Sequence, residues 1–253
     1  MSSRNSRRLV AALFALALAS PLAAAPREDR VVTPFSAATP GAGLPEGWAA
    51  IEIRGVEKST VYTLVNDAGT TVLRADADAS ASAVVYPIHF PAVDTLLGWR
   101  WKISHVLQTS DPTTKEGDDY PARVYVMFDY PLERLPLGDR IRLRLARAFY
   151  DPATPAAALC YVWDSRLPKE TIIKSPYTAR VRVIVANSGD ERAGRWQTVT
   201  RDLAADFRRA FGEEPPPISA VALATDTDNT EARVTAWYGN IVLKKRAVTA
   251  PAK

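Results

Sequence analysis

An all-β domain, a sandwich or a barrel interrupted by two short helices, is the fold class this sequence predicts. Three observations point there. Short runs with apolar residues at every second position recur along the chain, bounded by turn residues. Only two stretches carry the helical period. Strands do not alternate with long helices, which argues against βαβ units.

The elements follow in order. Arg4, Arg7 and Arg8 precede the apolar run Leu9–Ala19, and Ala23-Ala24-Ala25 closes it with small residues. That is the layout of a secretory signal peptide over residues 1–25, with a run too short to remain as a membrane span. A periplasmic or secreted chain is expected. Pro26–Pro34 reads as a loose, charged lead-in. Strands are predicted at Ala50–Arg54, Val61–Val65, Thr70–Ala75, Ala81–Tyr86, Trp99–Ser104 and Ala122–Asp129. Later ones fall at Leu159–Trp163, Ala179–Ala186, Trp196–Thr200, Val221–Thr225 and Val234–Leu243. Asn66-Asp67-Ala68-Gly69 supplies the turn of a hairpin. Leu137–Tyr150 places Ile141, Leu145 and Phe149 at helical spacing, and Asp202–Phe211 does the same with Leu203, Phe207 and Phe211. Thr200 or Asp202 suits the start of the second helix and Gly212 its end. Residues 26–246 then form one sandwich domain, and Ala247–Lys253 is a flexible tail.

Charge narrows the partners. The chain has 32 basic and 28 acidic residues, net +4. Three of the basic ones lie within the first 25 residues, which leaves +1. No long Lys/Arg block remains, so the basic pI supports neither nucleic acid nor an anionic membrane surface as partner. Cys160 is the single cysteine and sits in an apolar run, the setting of a buried, inert thiol. With two histidines and one cysteine, a zinc site of the usual kind is not expected. The sequence has no G-x-S-x-G elbow, H-E-x-x-H, phosphate loop or dinucleotide fingerprint.

Three segments carry polar chemistry. In the first, Asp118 and Asp119 lead into a strand on which Arg123 and Tyr125 share a face. Adjacent carboxylates repel, so they need a cation, an arginine or separate partners. Pairing with Arg123, or with Arg100 and Lys102 of a neighbouring strand, would make them structural. The second is Asp226-Thr227-Asp228-Asn229. It presents hard oxygen ligands, so a structural calcium is one reading and a plain turn the other. An EF-hand is rejected, because the following Gly and closing Glu are missing. The third is aromatic: Trp99, Trp101, Trp163, Trp196, Trp237 and Tyr238. Trp99 and Trp101 belong to the core. Trp237 and Tyr238 point to opposite faces, so one of them faces outward, where an aromatic among polar groups suits a sugar ring.

The runs Trp99–Lys102, Lys115–Val126, Tyr161–Trp163, Thr225–Thr230 and Tyr238–Ile241 resemble a bacterial family known only as domain of unknown function number three thousand and forty-seven. The resemblance spans about Phe35 to Leu243, with Asn240 standing where an Asp is expected. If that acid served a cation, its loss weakens the metal reading. The pattern is also similar to that of jelly-roll carbohydrate-binding modules. That likeness implies a jelly-roll antiparallel β-sandwich and non-catalytic binding of a glycan or other polyhydroxylated ligand. On this expectation Arg100, Lys102, Arg123 and Tyr125 line one sheet's concave face, Asp118 and Asp119 rim it, and no cofactor is needed beyond the calcium reading. The rival expectations are a glycoside hydrolase or polysaccharide lyase in the same cleft, with Asp118 or Asp119 as acid/base, and an envelope interaction protein without a small-molecule site.

Overall fold

The computed structural model describes residues 30–149 and 156–246. The predicted signal segment, residues 1–25, and the predicted tail, residues 247–253, lie outside them. The described chain is a jelly-roll β-sandwich of two seven-stranded sheets. The front sheet contains β1 (Arg30–Thr33), β3 (Val61–Asp67), β4 (Thr70–Asp78), β6 (Thr95–Ile103), β11 (Gln197–Asp202), β13 (Arg233–Tyr238) and β14 (Ile241–Lys245). The back sheet contains β2 (Ala49–Glu52), β5 (Ala81–Phe90), β7 (Arg123–Phe128), β8 (Ala158–Asp164), β9 (Ile172–Lys174), β10 (Val181–Ser188) and β12 (Ile218–Asp226). All pairs are antiparallel except β8 with β10, which runs parallel. Every residue of β8 is buried, the continuous apolar run that a strand covered on both faces requires.

Alternation builds the core. On β6, Leu97, Trp99, Trp101 and Ile103 point inward and are buried, while Leu96, Gly98, Arg100 and Lys102 alternate outward. Trp99 lies 5.2 Å from Tyr161, and Trp101 lies 6.0 Å from Trp163, so indoles of one sheet seal against aromatics of the other. Two of the indoles have their polar ends met: Trp101 Nε1 donates to Asn187 Oδ1 at 2.8 Å and Trp163 Nε1 to the Gly189 carbonyl at 3.0 Å, whereas the buried Trp99 Nε1 has no partner among the described residues.

The β3–β4 turn forms where expected. Ala68 and Gly69 both take positive φ, 51° and 83°, the type I′ geometry that matches strand twist. Helix α2 (Leu203–Phe211) starts on Asp202, whose side chain accepts from Ala205 N, and ends at Gly212. It buries Leu203 and Phe207, with Phe207 against Phe128 at 4.7 Å.

Three expectations change. Residues 30–33 of the supposed lead-in form β1, because β14 offers a free edge for them. The single strand predicted over Val234–Leu243 is broken at Gly239-Asn240 into β13 and β14, both of which pair with β6. Helix α1 (Leu137–Phe149) exposes Ile141, which is 48% accessible, and buries Leu143 instead. Among the described residues no helix is long and apolar enough to cross a membrane.

Candidate functional site

The outward face of the front sheet holds a row of large polar and aromatic side chains. Register sets the row. Trp237 on β13 pairs with Lys102 on β6 and with Arg74 on β4. Gln197 pairs with Trp101, so Trp196, one residue earlier, flanks Lys102 from the β11 side. The two indoles thus sit on the strands either side of β6, about 10 Å apart across two strand spacings. Lys102 Nζ lies 5.2 Å from the Trp196 ring centroid and 4.5 Å from that of Trp237. It also donates to both Asp67 oxygens at 3.0 and 2.9 Å, and Trp196 Nε1 donates to Asp67 Oδ2 at 2.7 Å. The Lys102 hydrogen bond is the main reason the Asp67 carboxyl lies below its ordinary range. Arg74 donates to Asp76 at 3.0 and 2.8 Å, and Thr235 donates to the same carboxylate at 2.8 Å. Arg100 sits over Trp196 with its guanidinium carbon 4.5 Å from the ring centroid. Both indoles are half-buried, held by their neighbours yet open to solvent.

The outward face of the back sheet is different. Val124, Val126 and Phe128 of β7 enter the main core, so Arg123 and Tyr125 point away from it. There the 110–121 loop covers them. Arg123 stacks over Tyr120 at 4.4 Å and is 4% exposed. Its Nε donates to Asp226 Oδ1 at 2.9 Å, and its Nη2 reaches Asp226 Oδ2 and the Asp118 carbonyl. Its Nη1 lies 3.3 Å from the Tyr125 hydroxyl and 3.5 Å from Asp118 Oδ2. Asp119 is fully buried. It accepts from Asn229 Nδ2 at 3.0 Å and from Thr230 N and Oγ1 at 2.7 and 2.6 Å, which fastens the β12–β13 turn. Burial pushes the Asp226 carboxyl up to about 7, against the downward pull of Arg123. Burial likewise raises Asp118, raises Asp228 with help from Asp119, and pushes the Cys160 thiol up to about 12. That thiol is inert at neutral pH.

The six predicted ligand residues therefore divide. Arg100 and Lys102 lie on the outer face of one sheet, and Arg123, Tyr125, Asp118 and Asp119 lie on the outer face of the other, so no single face gathers them. Arg123 and Asp119 are internal struts, because a charge taken out of water must be paired where it is buried. The predicted metal trio also regroups. Asp226 and Asp228 come within 4.8 Å of Asp119, and Asn229 spends its amide on Asp119. Around these carboxylates the positive charge and several donors come from Arg123, Tyr120 N, Asn229 and Thr230. Residues absent from the predicted site are Asp67, Arg74, Asp76, Trp196 and Trp237. Trp237 had a signal, since alternation along its strand forces it outward once Tyr238 turns in. Asp67 had none, because the β3–β4 turn that brings it to Lys102 lies 35 residues away in sequence.

Residues 46–242 match the family model described as "Protein of unknown function (DUF3047)". The chain belongs to this family. In this member Asn240, in the place where an Asp was expected, uses both ends of its amide: Oδ1 accepts from Ser36 N at 3.0 Å and Nδ2 donates to Ser36 Oγ at 2.8 Å. A carboxylate could make the second bond only with the Ser36 hydroxyl as donor. No protein of curated function matches the sequence. Solved structures of similar outline include the xyloglucanase domain of NopAA from Sinorhizobium fredii, at TM-score 0.43 and 9% identity over 82% of this chain and 98% of that one. Another is the family 11 carbohydrate-binding module of Clostridium thermocellum, at 0.37 and 10% over 79% and 89%. A third is the Endo-D glycoside hydrolase domain of Streptococcus pneumoniae, at 0.33 and 12% over 79% of this chain, which spans only 22% of that one. Likeness at this level carries no argument about what this chain binds.

Proposed function

We propose that the protein is a non-catalytic binding module for a glycan or other polyhydroxylated ligand, working in the periplasm or outside the cell. One observation carries the reading: Trp196 and Trp237 stand half-open on one sheet face, with Lys102, Arg100 and Asp67 between and beside them. A sugar ring has apolar C–H faces and a rim of hydroxyls. Indoles held by hydrogen bonds match the faces, and charged tips match the rim. The signal-like first 25 residues support export.

Binding suits this face better than hydrolysis. A general acid must hold its proton near neutral pH, which requires a raised pKa. Asp67 is lowered instead, and Asp76 is tied to Arg74 and Thr235.

The test is affinity electrophoresis of the full chain against a panel of soluble polysaccharides. Wild type is expected to be retarded by at least one, with no new reducing ends released. Trp237→Ala and Trp196→Ala should each weaken that binding by roughly thirtyfold, the effect of about 2 kcal/mol for an aromatic anchor. Undiminished retardation of both variants overturns the reading.

A further inference from the structure

We infer that the ligand is an acidic glycan, one carrying uronate carboxylates, and that the Arg100 guanidinium receives the carboxylate. This rests on the sheet-face reading above and names the ligand class for the same site.

On β4, β6 and β13 the outward cations are Arg74, Arg100, Lys102 and Arg233, while Asp67, Asp76 and Asp78 supply the carboxylates beside them; Asp202 and Lys244 face the same way at the far end of the sheet, on either side of Leu96. Arg74 pairs with Asp76 at 2.8 Å, Lys102 with Asp67 at 2.9 Å and Arg233 with Asp78 at 2.6 Å. Arg100 makes no ion pair among the described residues, and its guanidinium donates no hydrogen bond there. Of the cations on β4, β6 and β13, Arg100 is thus the one with no ion pair among the described residues, and its place is known.

That charge is held in position. Arg100 runs between the Trp196 ring and the backbone of Gly239. A Cβ at residue 239 would fall 2.4 Å from Arg100 Cγ and 2.6 Å from its Nε, so the arm lies directly on the glycine. Gly239 N also donates to the Arg100 carbonyl at 2.9 Å. The cation–π contact with Trp196 stabilises the charge without using an N–H, which leaves the donor fork unspent. A fixed, unspent guanidinium fork is what bidentate carboxylate recognition requires, and its ordering cost is already met before binding. A guanidinium without an ion pair, beside two indoles, matches the carboxylate of a uronate. The indoles beside it would take the sugar ring that bears the carboxylate.

Polygalacturonate, alginate and hyaluronate, each beside its methyl ester, separate this inference from the broader one, because esterification removes charge and keeps the backbone. Wild type should bind at least one acid form about tenfold or more tightly than its ester, with retention falling as salt rises. Arg100→Met should erase that difference, with binding of the acid form falling far more than that of the ester and the melting temperature in place. Arg100→Lys, which keeps a charge and loses the fork, should restore only part of it. Equal binding of acid and ester, or a preference that survives Arg100→Met, overturns the acidic inference and leaves the glycan reading standing. Dextran sulfate bound as tightly as the uronates, and indifferent to Arg100→Met, reduces the effect to general charge capture and also overturns it. Failure of every acidic and neutral polymer to bind sinks the sheet-face reading itself.

Discussion

Arg123 and Arg100 occupy comparable places on opposite sides of the molecule. Each points outward from a strand, and each lies over an aromatic ring, Tyr120 at 4.4 Å and Trp196 at 4.5 Å. Yet Arg123 is sealed beneath a loop and shared between Asp226 and Asp118, whereas Arg100 remains open and has no ion pair among the described residues. The stacking ring is not what separates them. The difference lies in whether the diagonal neighbour on the next strand is acidic. Beside Arg123 that neighbour is Asp226 on β12. Beside Arg100 the chain runs through Gly239, which has no side chain to offer. An arginine on a sheet face becomes a buried strut or stays open according to what the adjacent strand places next to it.

The widest gap between the two should appear in stability. Arg123→Met strands the Asp226 carboxylate in a buried site, and denaturant unfolding should show a loss of about 3–5 kcal/mol. Adding Asp226→Leu removes the orphaned charge and should return much of that loss. A loss below about 1 kcal/mol for Arg123→Met alone would show that the network bears no strain of folding, and the contrast with Arg100 would fail.

The contrast also marks how far the sequence could be read. Trp99 and Trp101 were legible as core because alternation along a strand is a local pattern, and the Asp202 cap and Gly212 stop of α2 are local too. Those short-range signals left a sandwich or a barrel open, and the jelly roll came from the likeness to carbohydrate-binding modules. The fate of Arg123 did not, because its partner Asp226 is 103 residues away and arrives only through the β7–β12 register. With that pairing hidden, Arg100 and Arg123 look alike, each in a strand with aromatics and near acids. Strand β9, three residues long, and the parallel β8–β10 pair were hidden for a related reason: their partners are set by the whole sheet rather than by adjacent residues.

Arg201 is the intermediate case and sharpens the scale. It links buried Asp206, at 2.7 Å, to Glu170, which is 43% exposed. Hydrogen bonds from Arg201 hold the Glu170 carboxyl down to about 2, from an ordinary 4.5. A carboxylate with a lowered folded pKa contributes stability above its unfolded pKa and loses it as pH falls through the folded value. Wild type should therefore exceed Glu170→Gln in stability at pH 6, by less than about 1 kcal/mol because the pair is partly open to water. Thermal melts from pH 6 down to pH 2 should show that margin closing between about 4.5 and 2. A margin independent of pH would mean that the Glu170 charge contributes nothing.

The smallest effect on folding, and the finest probe of the comparison, belongs to Gly239→Ala. Residue 239 has no positive φ, so alanine suits the backbone there. The clash is with the arm of Arg100, at Cγ and Nε. That arm is half-buried, so it can rotate about its own Cβ instead of forcing the strands apart, and unfolding free energy should fall by less than about 1 kcal/mol. The position of the guanidinium over Trp196 is what changes. If Arg100 matters through its fixed place, Gly239→Ala should cut the preference for a uronate polymer over its methyl ester severalfold, although every charged residue on the face is still present. If Arg100 acts only as a mobile charge, the preference will be untouched, and the distinction between an arginine that is placed and one that is merely exposed loses its meaning on this sheet.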